Sequence, residues 1–263
     1  MTKYSKKVLF RADDLGYSEA VNYGIEKAVK EGLIQSVGVM VNMPTTAHGV
    51  ELLKNEPIAF SQHTNICVGK PLTDPEKIPS LVDADGNFKS SKIYREAKED
   101  FVVLSEVRLE IEAQYQRFLE LFGRKPDYFE GHAVTSANYF KAMEQFAAEH
   151  GLKYSGLPQG QGPNSLTEDA FIDVNGTKVY LYMESMQADY DPYRTLEKLL
   201  ANLHDDGVDM MIFHPGYLDD YILKNSSLLI PRTAEVAFLT DPAVKARLEQ
   251  LKIELISYKE VQR

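Results

Sequence analysis

The sequence has no tryptophan, a single cysteine, and no apolar run near the roughly 20 residues that a membrane-spanning helix needs. Cys67 has no partner for an internal disulfide, which fits a reducing compartment, and it reads as a small packing side chain. Basic residues are gathered nowhere and the net charge is −10. A surface for nucleic-acid phosphates or anionic lipid is therefore excluded, because either needs Lys and Arg concentrated on one face. Residues 1–7 run straight into the first apolar strand without the apolar region of a signal peptide, so the expected location is the cytoplasm. What is present is ordinary for a globular enzyme. With 263 residues, 44% of them hydrophobic, the chain can bury a full core as one domain over 1–263. Fifteen tyrosines could stack on sugar rings.

The first strand, Lys7 to Ala12, ends at Asp13-Asp14-Leu15-Gly16. An apolar run that stops at two carboxylates and a glycine reads as a buried parallel strand delivering acids to the C-terminal rim of a sheet. Ser18 can cap a helix with Val21, Ile25, Ala28 and Val29 on one face, and Gly32 ends it. A strand over Ser36 to Asn42, a helix over Thr46 to Asn55 and a strand over Ala59 to His63 complete a strand-helix alternation typical of parallel sheets. From Asn65 to about Tyr94 the pattern dissolves into a long polar segment, the kind of loop that serves as a lid or binding loop. A helix from about Ser105 to Phe122 precedes the strand Tyr128 to His132, and Asn138 to His150 is the next helix. Gly156 to Asn164 reads as an exposed excursion. Phe171–Val174 and Thr177–Met183, joined by Asn175-Gly176, predict an inserted β-hairpin near 171–183. A helix over Tyr193 to Leu203 leads to the strand Met210 to Phe213, which delivers His214. Helices after Pro231 and Pro242 and a last strand over Ile253 to Ile256 close the series. The expected fold is α/β, a distorted TIM-like (β/α) barrel.

Four strand ends thus carry Asp13-Asp14, His63, His132 and His214, and in a parallel barrel those ends share one face. Two imidazoles and a carboxylate can hold a divalent cation with positions left open, a second carboxylate can act as general base, and a further histidine can protonate a leaving group. The pattern points to metal-assisted hydrolysis. His48 and His204 read as surface-helix residues and His150 as a helix C-terminal residue. Arg232 and Glu235, three apart after Pro231, are either a surface ion pair or, through Arg232, a contact for an anionic substrate group.

The chain also resembles the YdjC-like carbohydrate deacetylases along nearly its whole length. The likeness rests on Ala12-Asp13-Asp14-Leu15-Gly16-Tyr17-Ser18 with Asn22-Tyr23-Gly24-Ile25, on Val41-Asn42, on Gly69-Lys70-Pro71-Leu72, on Gln114-Tyr115 and Phe122-Gly123-Arg124-Lys125-Pro126, and on His214-Pro215-Gly216 with Pro231-Arg232 and Glu235. The resemblance implies a divalent metal, Mg2+ with Zn2+ as the alternative, held by Asp14, His63 and His132. It also implies Asp13 as general base and His214 as the acid for the departing sugar amine. The substrate it implies is a small N-acetylated amino sugar such as diacetylchitobiose or its 6-phosphate. Two stretches differ from the family pattern: Glu130-Gly131-His132-Ala133-Val134-Thr135-Ser136 replaces a histidine-rich run but keeps its first histidine, and Ser61-Gln62-His63-Thr64 is more polar than usual.

Two other readings stay open on the residues alone. A glycoside or sugar-phosphate hydrolase would need a carboxylate such as Glu130 set across the sugar from the aspartate pair. A carbohydrate-binding protein on the same barrel would bind sugar without turnover. The exposed hairpin reads as either an interface or a lid, and a homodimer is the commonest assembly of soluble chains.

Overall fold

The computed structural model describes residues 6–158 and 169–261. Strand β1 (Lys7–Leu15) is followed by α1 (Glu19–Lys30), β2 (Ser36–Val39), α2 (Thr46–Leu53) and β3 (Ala59–Thr64). After a long connection come α3 (Ser91–Glu96), α4 (Leu104–Phe122), β4 (Tyr128–Gly131) and α5 (Ala137–His150). The hairpin β5 (Phe171–Val174) and β6 (Thr177–Tyr182) precedes α6 (Pro192–Ala201), β7 (Gly207–Phe213), α7 (Asp220–Asn225), α8 (Ile230–Leu239), α9 (Pro242–Leu251) and β8 (Glu254–Ile256). The strands form one curled sheet in the order β4-β3-β2-β1-β7-β6-β5, with β8 also paired to β1. All pairings are parallel except that of the hairpin. Beyond β4, Tyr154 adds a single parallel bridge to Phe129. The architecture is the expected distorted barrel.

β1 is the centre of this sheet because its sequence lets it be buried on both faces. Its first half pairs with β7 and β8, and its second half with β2 and β7. One core cluster gathers Phe10, Val37, Phe60, Met211 and Phe213 under α1, α8 and α9; another lies beneath α4 and α5. Helix α1 begins where Ser18 Oγ accepts the Val21 N–H, as its capping role predicts.

The segment 65–94 departs from the sequence reading. It is polar in composition, yet Ile66, Ile78, Leu81, Phe88 and Tyr94 are buried in the second cluster, and α3 begins within it. Irregular spacing hides these anchors, because no helix or strand period connects them. His204 lies after α6 rather than on a surface helix, stacked on Tyr180 with Nδ1 2.7 Å from Asp209. His48 packs edge-on against Tyr23 and lies 3.2 Å from the Asn22 amide. Of the excursion over 156–164, residues 159–164 lie outside the described residues.

Candidate active site

Adjacent residues of a regular strand point to opposite faces, so Asp13 and Asp14 should not serve one site. A register shift resolves this. Ala12 pairs with Val37 and Leu15 with Val39, so β1 uses three steps where β2 uses two. The bulge puts Asp14 at φ +78°, a left-handed conformation that a non-glycine residue adopts only when its surroundings enforce it. Both carboxylates then lie among the same groups, and both are buried.

Asp14 Oδ1 lies 3.2 Å from His63 Nε2 and 3.0 Å from His132 Nδ1, and the two imidazole nitrogens are 2.9 Å apart. His63 comes from β3, and His132 follows β4, where its N–H continues the ladder to the Thr64 carbonyl at 2.9 Å. The other carboxylate oxygen of Asp14 accepts from Arg232 Nη2 at 2.8 Å. Asp14 Oδ1 itself accepts no hydrogen bond, a buried oxygen whose only near neighbours of this kind are ring nitrogens. Three donor atoms at right angles around an ion ~2.1 Å from each would sit about 3 Å apart, so the trio fits a facial site for a divalent cation.

The charges around the trio make the same point. Burial opposes a proton on His63, but Glu130 and then Asp13 outweigh it and raise the imidazole to about 10. Burial likewise opposes a proton on His132, and Asp14 raises it to about 9. Asp14, for its part, is driven upward by burial but held well below the usual carboxylate range by His132 and Arg232. The cluster therefore demands positive charge at its centre, which protons on the imidazoles or a divalent cation can supply.

Behind the trio, Glu130 Oε2 lies 2.5 Å from His63 Nδ1, and its Oε1 accepts from Ser61 Oγ at 2.8 Å. This carboxylate fixes the ring orientation of His63, as outer-shell acids do for metal-binding histidines. Asp13 Oδ2 accepts from Arg11 Nη2 at 2.7 Å, while Asp13 Oδ1 is buried without a partner. Arg11 in turn donates to Ser155 Oγ at 3.1 Å, and Ser155 Oγ is 2.5 Å from Tyr258 Oη. The packing leaves no room at β2: a Cβ on Gly38 would lie 2.8 Å from Glu130 Oε1 and 2.9 Å from Asp13 Oδ1.

His214 follows β7 on the same rim, half-buried, with Nδ1 3.2 Å from Ser185 Oγ. Burial pushes its imidazole down to about 4, against the pull of Asp14 and Asp13. Arg232 and Glu235 do not make the surface ion pair open to them in sequence. Both are buried. Arg232 is fully engaged inside the protein, donating to Asp14 and to the carbonyls of His214 and Leu228, with its guanidinium carbon 5.4 Å from the centre of the Tyr17 ring. Glu235 accepts from the His214 backbone N–H at 2.6 Å and from Tyr190 Oη at 2.8 Å. Sequence reasoning overlooked Arg11, Gly38, Ser185 and the supporting role of Glu130. Only Arg11 left a signal, as a charge inside an otherwise apolar strand.

Residues 7–250 match the model of the YdjC-like protein family. The chain belongs to that family. Among its relatives, a carbohydrate deacetylase of Listeria innocua is 32% identical over 97% of this chain and 98% of its own length. A chitooligosaccharide deacetylase of Yersinia enterocolitica is 30% identical over 96% and 98%. A crystal structure from Enterococcus faecalis, of a protein provisionally named for cellobiose-phosphate cleavage, superposes with a TM-score of 0.81 at 26% identity, covering 98% of this chain and 99% of that one. A peptidoglycan N-acetylglucosamine deacetylase shares the fold, with a TM-score of 0.52 at 12% identity over 97% of this chain and 88% of that one.

Proposed function

We propose that the protein, acting as one domain, is a metal-dependent carbohydrate deacetylase that hydrolyses the acetamide of an N-acetylated amino sugar in a short oligosaccharide. The observation that carries this reading is the convergence of Asp14 Oδ1, His63 Nε2 and His132 Nδ1 within 3.2 Å beside the unpartnered oxygen of Asp13. The names of the family relatives support the same chemistry.

Asp14, His63 and His132 would hold the cation, Mg2+ by the family likeness or Zn2+ by the nitrogen content of the donor set. When bound, it polarises the acetamide carbonyl and makes water more acidic. Asp13 takes the proton of the attacking water: Arg11 ties down Oδ2 and leaves Oδ1 to act as base. His214 gives a proton to the departing sugar amine. Because burial keeps its imidazole neutral at rest, that proton arrives within the same turnover, from the water that Asp13 deprotonates. Arg232 works through Asp14, orienting the carboxylate so that Oδ1 faces the histidines.

A glycosidase is less well supported, because Glu130 is buried behind His63 and bound to it rather than set across a sugar ring. The deciding measurement is acetate release from N,N′-diacetylchitobiose by chelator-stripped protein restored with Mg2+, Zn2+ or Mn2+. Asp13→Asn should lower kcat by about 100-fold or more, the scale of a lost general base, and His132→Ala should abolish rescue by metal. Sugar binding without acetate under every metal would leave the binding-protein reading standing, and release of monosaccharide without metal would favour the glycosidase.

A further inference from the structure

His214 is held by its backbone and by its ring, from two different elements. The backbone is fixed from α8: Glu235 accepts the His214 N–H at 2.6 Å, and Arg232 donates to the His214 carbonyl at 3.2 Å. The ring meets the segment 183–191 that joins β6 to α6, where Ser185 Oγ lies 3.2 Å from His214 Nδ1. Both sides of Ser185 are tied down. Glu184 accepts from Thr195 Oγ1 at 2.6 Å and from Lys198 Nζ at 2.9 Å, and Tyr190 Oη donates to Glu235 at 2.8 Å. Between these anchors Met186 to Asp189 are exposed, whereas Ser185 is only 1% exposed.

A buried serine usually bonds a nearby backbone group. Among the described residues, the Ser185 hydroxyl has His214 as its one hydrogen-bond partner. A bond at one ring nitrogen decides which nitrogen is left for chemistry. With Nδ1 turned to Ser185, Nε2 is the one left to exchange a proton. The partner is also uncharged, in contrast to the Glu130 carboxylate 2.5 Å from Nδ1 of His63. The charged groups facing His214 are Asp13 and Asp14 from β1, His63 from β3, and Arg232 and Glu235 from α8, while Glu184 of the 183–191 segment is turned to Lys198. Burial outweighs the pull of the two aspartates, so an imidazolium formed here gives up its proton readily.

We propose that Ser185 is the positioning residue for His214: its hydroxyl accepts the Nδ1–H, aims Nε2 at the departing sugar amine and, being neutral, does not hold the transferred proton back. The inference rests on the deacetylase reading above. In the step it serves, Nε2 takes the proton that Asp13 removed from the attacking water and passes it to the amine nitrogen as the C–N bond breaks. His214 ends as it began, and Ser185 keeps its own proton throughout.

The test pairs kinetics of acetate release from N,N′-diacetylchitobiose with nitrogen-15 spectra of the histidine side chains, both on Zn2+-restored protein. Ser185→Ala should lower kcat tenfold or more and leave KM within twofold. Ser185→Thr and Ser185→Val add nearly the same bulk, so the hydroxyl alone should keep the Thr variant at least fivefold ahead in kcat. In the spectra, with His214 assigned by its loss in His214→Gln, the parent should carry its proton on Nδ1 and Ser185→Ala should show a mixture of tautomers. Ser185→Asp, which keeps an acceptor and adds charge, should move the His214 titration midpoint up by at least one pH unit. Equal kcat in the Thr and Val variants, a Ser185→Ala loss carried by KM, or His214 signals indifferent to Ser185 would overturn the proposal. If the parent releases no acetate, the deacetylase reading fails, and the His214 spectra still decide whether Ser185 holds the ring.

Discussion

Gly38 is the residue whose smallest change should reach the chemistry directly. Ala at this position would bring a methyl within 3 Å of the carboxylates of both Asp13 and Glu130, and 3.3 Å from His63 Cβ. Overpacking of this kind costs about 1–3 kcal/mol in stability. Because the displaced groups are the proposed base and the partner of His63, Gly38→Ala should lower kcat for acetate release by tenfold or more while the far-ultraviolet circular dichroism stays native. Glu235 gives a prediction in pH. Burial raises its carboxyl to about 8 from an ordinary 4.5, so between those values the folded protein holds a proton that the unfolded chain has lost. Its contribution to stability is complete below about pH 4.5 and is lost as pH rises through 8. Glu235→Gln, which keeps the shape and cannot ionise, should therefore gain on the parent in melting temperature from pH 5 to 8 and hold a constant lead above. A lead that does not grow with pH would mean that Glu235 is not the titrating group.

Helix α4 does more at the element scale than cover the sheet. Glu106, Glu110 and Gln114 recur every four residues, on one face, and each holds backbone of the 65–90 segment. Glu106 accepts from the Ser80 N–H at 2.7 Å, Glu110 from Leu72 and Thr73 at 3.1 and 2.9 Å, and Gln114 from Asn65 at 3.0 Å. Glu110→Ala would leave two N–H groups without acceptors, at a cost of about 1–3 kcal/mol for each that stays dry. Hydrogen exchange should quicken over residues 65–80 and stay unchanged in β1 and β7. That polar stripe is present in the sequence, but its role cannot be read from helical period, since what it holds lies outside the helix. The elements themselves were legible wherever periodicity was strong: α1, α4, α5, β3 and the hairpin fall where the apolar spacing puts them. The short helices α3 and α7 were not, because six residues carry too little period to be seen.

Across the whole molecule, the candidate site was legible as a list of strand ends and illegible as a geometry. His63, His132 and His214 stand out because each falls at the end of a strand expected from the strand-helix alternation. The bulge that brings Asp13 and Asp14 to one place depends on how β1 pairs with β2, and no local pattern in β1 encodes it. In sequence Arg232 stays open between a surface ion pair and a substrate contact, because its partner, Asp14, is 218 positions away.

Such distances also govern the order in which the molecule can be made. Synthesis runs from N- to C-terminus, so β1 leaves the ribosome well before β7 and β8, which complete its pairing. Asp13, the proposed base, is tied through Arg11 and Ser155 to Tyr258, more than 200 positions on. The aspartate pair must therefore wait for its full setting while about 240 residues are added at about 5–20 per second. A stalled chain ending before β7 would carry every proposed cation ligand in its sequence and still lack both β7 beside β1 and the Arg232 that holds Asp14.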